Sequence, residues 1–240
     1  MTDEQTVDSF EHPGRPTVTD PGRHRAEFTA SGLPEAIARA RHEFDRSVSG
    51  TTYRGHPYGF GGMRSEVSGL LYGLVRELGP RTLVETGVCN GVSTAAILGA
   101  LERNGAGRLY SIDLPEVTDT AYAEGTFWSG KKGAAVPKGK APGWLVPEGL
   151  RGRWELTLGR SSEELPPLLE RLGTIDFFLH DSEHSRECMT FEYRAAWRCL
   201  RPGGVLASDD VTWNDAFESF AGRHRREIHR LTDNLAYLIK

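Results

Sequence analysis

Apolar positions repeat with a helical period twice in the first third of the chain. Ile37, Ala40, Phe44 and Val48 follow Pro34 at intervals of three and four, and proline suits a first turn, so one amphipathic helix is predicted there. From Val67 the residues Leu70, Leu71, Leu74, Val75 and Leu78 form a second stripe, which Gly79-Pro80 stops. Beyond that point the period changes. Short apolar runs at 82–85, 108–112, 154–158, 175–179 and 205–207 alternate with helical stretches at 93–103, 162–172 and 183–200. This alternation predicts an α/β fold with a mostly parallel sheet covered on both faces. Ser161 and Glu164 have capping-box spacing at one helix start, and 227–231 with 235–239 read as a closing strand pair around Thr-Asp-Asn.

Polar stretches divide the chain. Residues 1–30 hold too few apolar side chains to offset ordering entropy alone and read as a mobile or docked arm. With the helix after them they make an N-terminal arm and lid at 1–62, ahead of a domain at 63–240. Residues 51–62, rich in glycine and aromatics, read as loop. An insertion at 115–150 interrupts the alternation and reads as a lid, a binding loop or disorder. Within it Lys131, Lys132, Lys138 and Lys140 lie between Trp128 and Trp144 in a stretch without acidic residues. Such a segment is either a basic, aromatic flap over a substrate or a solvated loop. Tyr53, His56, Tyr58, Phe60 and Met63 supply an opposite wall or packing beneath it.

Composition narrows the function. The chain has 240 residues, 38% of them hydrophobic, with five Trp and ten Phe to fill a core. Its net charge of −4 provides no global positive field for nucleic acid or an anionic membrane. Met-Thr-Asp-Glu-Gln at the start lacks the basic and apolar regions of an export signal, and no run approaches the length of a spanning helix. Cys89, Cys188 and Cys199 are odd in number and form no C-x-x-C pair, which fits reduced thiols in the cytoplasm and encodes no thiolate zinc site.

Candidate chemistry begins after the first strand. Leu83-Val84-Glu85-Thr86-Gly87-Val88-Cys89-Asn90-Gly91-Val92-Ser93 runs from a strand through a small-residue turn into a helix. Glycines there let backbone amides approach a ligand, and a helix start favours negative charge. The spacing G-x-x-x-G is neither the dinucleotide fingerprint nor a P-loop. Asp113 closes the second strand, where a carboxylate can reach a ribose hydroxyl pair. The bland alternative is an ordinary strand-turn-helix with a surface aspartate.

Together these residues resemble the S-adenosylmethionine site of class I methyltransferases. The resemblance spans 64–240 and implies a Rossmann-like seven-stranded sheet of order 3-2-1-4-5-7-6. It also implies Gly87 and Gly91 under the methionine part, Ser93 near its carboxylate and Glu85 near its amino group. Asp113 would hold the ribose, and Ser161 and Ser162 the adenine edge.

A second cluster follows the fourth and fifth strands. Asp181 ends 175–179, His184 follows it, and Asp209-Asp210 end the next strand. Three carboxylates at one sheet edge raise one another's pKa unless a cation neutralises them, and oxygen-only ligands suit Mg²⁺ better than zinc. Taken singly, Asp181 reads as a helix cap, Asp209-Asp210 as a turn and His184 as a helix-surface histidine. His180-Asp181-Ser182-Glu183-His184 also spells H-x-x-E-H, the order of a zinc hydrolase, which needs both histidines on one helix face.

Asp181 with Asp209-Asp210 resembles the metal site of catechol O-methyltransferase and, more narrowly, of bacterial macrolide and sugar O-methyltransferases. The catechol enzyme has Lys at the place of His184 and Asn at that of Asp210, and both departures point to the natural-product group. The resemblance implies a metal-dependent O-methyltransferase, using Mg²⁺ or another divalent cation and acting on a small-molecule hydroxyl acceptor, with Asp181, Asp209 and Asp210 on the metal and His184 as general base. The acceptor would be a diol, sugar, polyketide or phenol. Alternatives are a metal-independent methyltransferase of the same class, a zinc hydrolase and a nucleotide sensor without catalysis. Oligomeric state stays open, a homo-oligomer included.

Overall fold

The computed structural model describes residues 18, 20–48, 52–53, 56–118, 120, 127 and 133–240, the side chains of 52–53 and 56–57 excepted. Seven strands form one sheet: β1 (Thr82–Thr86), β2 (Arg108–Asp113), β3 (Trp154–Leu158), β4 (Ile175–His180), β5 (Leu200–Ser208), β6 (His229–Arg230) and β7 (Ala236–Ile239). Their order is β3-β2-β1-β4-β5-β7-β6, as the resemblance implies. The first five are parallel, β7 runs antiparallel to β5, and β6 antiparallel to β7.

Side-chain alternation along the strands builds two cores. Leu83, Leu109, Phe177 and Val205 pack on one side against α1 (Arg25–Ala30), α2 (Leu33–Ser47), α3 (Ser65–Leu78) and α4 (Val92–Asn104). Val84, Ile112, Phe178 and Leu206 pack on the other against α5 (Ser161–Leu172), α6 (Arg186–Cys199) and α7 (Ala216–His224). Helix α4 is buried from Val92 through Leu101, consistent with an apolar sequence all round its axis.

Several boundaries differ from the sequence reading. Ser161 does not cap α5, because Arg160 holds the cap position and makes no side-chain capping bond. Helix α6 starts at Arg186 rather than 183, where Ser185 Oγ accepts the Cys188 N–H. Helix α7 lies in a stretch with no predicted element, and its buried residues are Ala216, Phe217, Phe220 and Ala221. Residues 51–62 are not wholly loop, since Thr52–Tyr53 pairs with His56–Pro57. Within the insertion Ala135, Val136, Leu145 and Val146 are buried, so this part packs as core.

The arm is docked from residue 20 onward. Phe28 on α1 is buried against Tyr72 of α3, ring centroids 5.4 Å apart. Beside it Glu27 Oε1 accepts from Tyr72 Oη at 2.5 Å and from Arg76 Nε at 2.6 Å. Arg76 chiefly holds the Glu27 carboxyl down at about 2 from its ordinary 4.5, burial opposing and Tyr72 assisting. A depressed carboxyl pKa stabilises the fold above the unfolded value, and that contribution is lost as pH falls through the folded one. Glu27→Gln is therefore expected to cost about 1 kcal/mol at neutral pH. In thermal melts the gap to wild type should close as pH falls from about 4.5 toward 2; a gap constant over that range would contradict this account.

Candidate active site

Parallel strands bring their carboxyl ends to one edge, and four of them build the site. A cavity of about 760 Å³ opens along the ends of β1, β2, β4 and β5. Its wall at β1 is the turn Gly87-Val88-Cys89. Gly87 has φ +86°, and a Cβ there would stand 1.9 Å from the Asp181 carbonyl oxygen. No residue with a side chain fits this approach. Asp181 in turn donates its backbone N–H to the Thr86 carbonyl at 2.8 Å.

Asp113 ends β2 on the same cavity. Its Oδ1 accepts the backbone N–H groups of Val88 at 2.8 Å and Cys89 at 3.2 Å, which orients the carboxyl. Oδ2 is buried and has no hydrogen-bond partner among the described residues. Burial raises the Asp113 pKa against the pull of those two amides. A buried acceptor left unpaired in a cavity wall suits a hydroxyl-bearing ligand. Ser161 and Ser162 line the cavity from the start of α5, Ser161 Oγ lying 3.8 Å from Cys188 Sγ.

Glu85, Gly91 and Ser93 are not among the described residues that line it. Glu85 is fully buried behind the turn, accepting from Ser93 Oγ at 2.6 Å and from Thr94 Oγ1 and Ser111 Oγ at 2.8 Å each. Burial lifts it to about 7 in spite of those three hydroxyls. Glu85 and Ser93, expected at a ligand's amino and carboxylate ends, are here bonded to each other. Gly91 instead admits the returning insertion, since a Cβ there would stand 2.7 Å from Gly143 Cα. Gly143 N–H and Trp144 Nε1 bind the Cys89 carbonyl and Asn90 Oδ1 at 2.8 and 2.5 Å.

The three aspartates line the same cavity with His184. Burial first, then the charges of Asp209 and Asp210, push Asp181 well above the usual carboxylate range. Asp209 is pushed up to about 7 by burial and by Asp210. Asp210, in the left-handed region at φ +53°, places Oδ2 3.0 Å from His184 Nε2 and accepts from Asn234 Nδ2 at Oδ1. Oxygen donors of this kind match a hard cation. Among the described residues, however, no group of three such side chains is already arranged around one point.

His184 sits in the loop before α6, not on a helix. Burial and then His180 lower its pKa to about 4, against Asp210 and Glu192, so the ring is neutral at pH 7, with Nε2 3.0 Å from Asp210 Oδ2. Its ring lies 5.2 Å from the half-exposed Trp213, which the sequence reading did not include. His180 belongs to β4 and binds Glu192 Oε2 through Nδ1 at 2.6 Å. The H-x-x-E-H order therefore lacks the helix that a zinc hydrolase requires, a correction of that reading.

Glu192 was also missed. It is fully buried and accepts from Thr86 Oγ1 at 2.6 Å and Ser182 Oγ at 2.8 Å as well as binding His180. Burial raises its pKa, but His180 first, then the Ser161 and Thr86 hydroxyls, bring it to about 2. Met189, Glu192, Tyr193, Ala196 and Trp197 are the buried residues of α6, and an acid within that helical stripe was the available signal. Asn234 had no comparable signal beyond its turn.

Of the expected flap, Trp128, Lys131 and Lys132 lie outside the described residues, as do the side chains of Tyr53 and His56. Lys140 pairs with Glu43 at 2.9 Å and lies over the Trp144 ring. Tyr58 and Phe60 are buried packing, whereas Met63 lines the cavity.

The family described as "Methyltransferase domain" matches residues 84–211, more than half of the chain. No curated protein matches the sequence. Among solved structures, an O-methyltransferase from Bacillus cereus in complex with SAH is 15% identical, with 88% of this chain and 91% of that one covered and a TM-score of 0.52. The O-methyltransferase TomG from Streptomyces achromogenes, involved in tomaymycin synthesis and bound to SAM, is 17% identical over 92% and 98%, with a TM-score of 0.52. CalS11, a TDP-rhamnose 3′-O-methyltransferase of calicheamicin biosynthesis, is 19% identical over 72% and 76%, with a TM-score of 0.51. At these identities the likeness is one of fold.

Buried carboxylates whose pKa values are raised favour the fold when protonated, so their contribution falls as pH rises from the unfolded value near 4 toward about 7 for Asp209. Asp209→Asn should consequently raise the melting temperature at pH 8 in chelator, by about 2–4 °C for each kcal/mol of relieved repulsion. At pH 4 the gain should vanish. A lower melting temperature for the variant at pH 8 would show that the charge is compensated.

Proposed function

Starting from the fact that this chain belongs to the methyltransferase-domain family, we propose that it is a metal-dependent O-methyltransferase. Its cofactors in this reading are S-adenosylmethionine and Mg²⁺, and its acceptor is a hydroxyl of a small molecule. The observation that carries the reading is the meeting of Asp181, Asp209, Asp210 and His184 in the same cavity as the Gly87 turn and Asp113. The neighbours' tomaymycin and calicheamicin roles support a natural-product acceptor, whether sugar, polyketide, diol or phenol.

S-adenosylmethionine supplies a methyl group on a sulfonium leaving group. Asp113 Oδ2 is suited to its ribose hydroxyls, the Gly87 turn borders the cavity where its methionine part would lie, and Ser161 with Ser162 would face its adenine edge. Asp181, Asp209 and Asp210 would hold Mg²⁺, whose charge lowers a hydroxyl pKa. Their shared repulsion supports a cation there. The neutral His184 would take the acceptor proton, and Asp210, whose Oδ2 lies 3.0 Å from its Nε2, would stabilise the resulting imidazolium. Bound there, S-adenosylmethionine would supply the methyl carbon to the acceptor oxygen, with the carbon–sulfur electron pair going to its sulfur.

A metal-independent methyltransferase is the second reading. Both Asp210 oxygens already have partners, in His184 and Asn234, so the acids could orient the acceptor directly. Transfer of labelled methyl to a panel of sugars, diols and phenols, with and without chelator, tests both. Loss of turnover in chelator and its return with Mg²⁺ are expected, and full activity in chelator would leave the second reading standing. His184→Ala should lower kcat roughly 10²- to 10⁴-fold, while S-adenosylhomocysteine at 100 times its Kd still stabilises the variant by about 2.7 kcal/mol in a thermal shift. Near-wild-type kcat in that variant would remove the base role.

A further inference from the structure

We propose that Glu192, outside the cavity lining, is a positioning residue that sets Asp181 in place by gripping the chain on both sides of it. The grip has three arms. His180 Nδ1 lies 2.6 Å from Glu192 Oε2, Ser182 Oγ donates to Oε1 at 2.8 Å, and Thr86 Oγ1 donates to Oε2 at 2.6 Å. His180 and Ser182 flank Asp181, and the Thr86 carbonyl accepts the Asp181 N–H at 2.8 Å. Below it, the Asp181 carbonyl leaves no room for a Cβ at Gly87. The backbone of Asp181 is thereby held at both neighbours, at its N–H and at its carbonyl, and Asp181 lines the cavity.

The chemistry demands a carboxylate. Cys188 Sγ adds a fourth contact at 3.4 Å, so four groups converge on two oxygens. An ionised carboxylate is acceptor-only and can receive them all. It also fixes the His180 tautomer, because a bond to a carboxylate requires the proton on Nδ1. A glutamine has the same shape but offers one oxygen: with NH₂ toward His180 it would meet the imidazole N–H donor to donor, and with NH₂ toward Ser182 and Cys188 their donor bonds to Oε1 would be lost or reversed. The bracket would then lose an arm or the His180 tautomer would change.

In one arm this inference rests on the proposed metal reading, and the experiment separates the two. Glu192→Gln, purified as the full chain, is compared with wild type by amide hydrogen exchange, by ¹⁵N-histidine NMR and by Mg²⁺ titration calorimetry. Asp181 amide protection is expected to fall while β2 amides keep theirs, and the His180 nitrogen shifts to move. Mg²⁺ affinity should drop about 10- to 100-fold, the usual loss when a group that orients a ligand residue is changed. Unchanged Asp181 protection together with unchanged His180 shifts would overturn the proposal, as would unchanged Mg²⁺ affinity in a variant of a wild type that binds the ion. Should wild type bind no Mg²⁺, the metal reading fails and the exchange and NMR arms still decide on Glu192. If Glu192→Gln does not fold, Thr86→Val removes one arm and keeps the charge; it must show the same selective loss at Asp181, and its absence overturns the proposal.

Discussion

The contact between Gly87 and Asp181 is the constraint on which the rest of the site depends. Register explains it: Thr86 pairs with His180 and His180 with Ser208, so Gly87, Asp181 and Asp209 are the next residues of three adjacent strands. The row is locked by backbone bonds, Asp181 N–H to the Thr86 carbonyl at 2.8 Å and Asp209 N–H to the His180 carbonyl at 2.9 Å. A side chain at the first position would pry the row apart. Because it is closed, two carboxylates on neighbouring strands enter one cavity that the turn after β1 also borders.

That convergence costs stability. The fold buries apolar residues on both faces of the sheet, yet at this edge it also buries Glu85, Asp113 and Asp209. Burial penalises charge, and the pKa values of all three are raised. Glu192 shows the opposite solution in the same region, a buried carboxylate surrounded by donors and kept ionised. Asp113 and Asp209, on the cavity, are left with unmet electrostatic demand that a ligand can satisfy, whereas Glu192 is fully satisfied and serves the frame.

The five parallel strands were readable because each contains a short apolar run, and β3 spans 154–158 as expected, although β5 begins at Leu200, ahead of the expected 205–207. Helix ends were less readable. Ser161 and Ser185 both precede apolar stripes, but Ser185 alone of the two caps a helix, since Ser161 lies one residue inside α5 and faces Cys188. Helix α7 is nine residues long and buries only four of them, too weak a period to stand out. Asp181, Asp209 and Asp210 were nameable because each follows an apolar strand, whereas Asn234 reaches Asp210 across 24 positions and left no local trace.

Local chemistry therefore determined the periods, the turn at Gly87 and the types of residue at each strand end, because these depend on neighbours within a few positions. Tertiary structure alone decided that Glu85 and Ser93 bind one another, that Gly143 fills the space over Gly91, and that His180 serves Glu192 rather than a metal. Those outcomes are choices of partner among groups distant in the chain. A hydrogen-bonding side chain carries its donors and acceptors in the sequence, but which group satisfies them is settled only when the sheet closes and water is excluded.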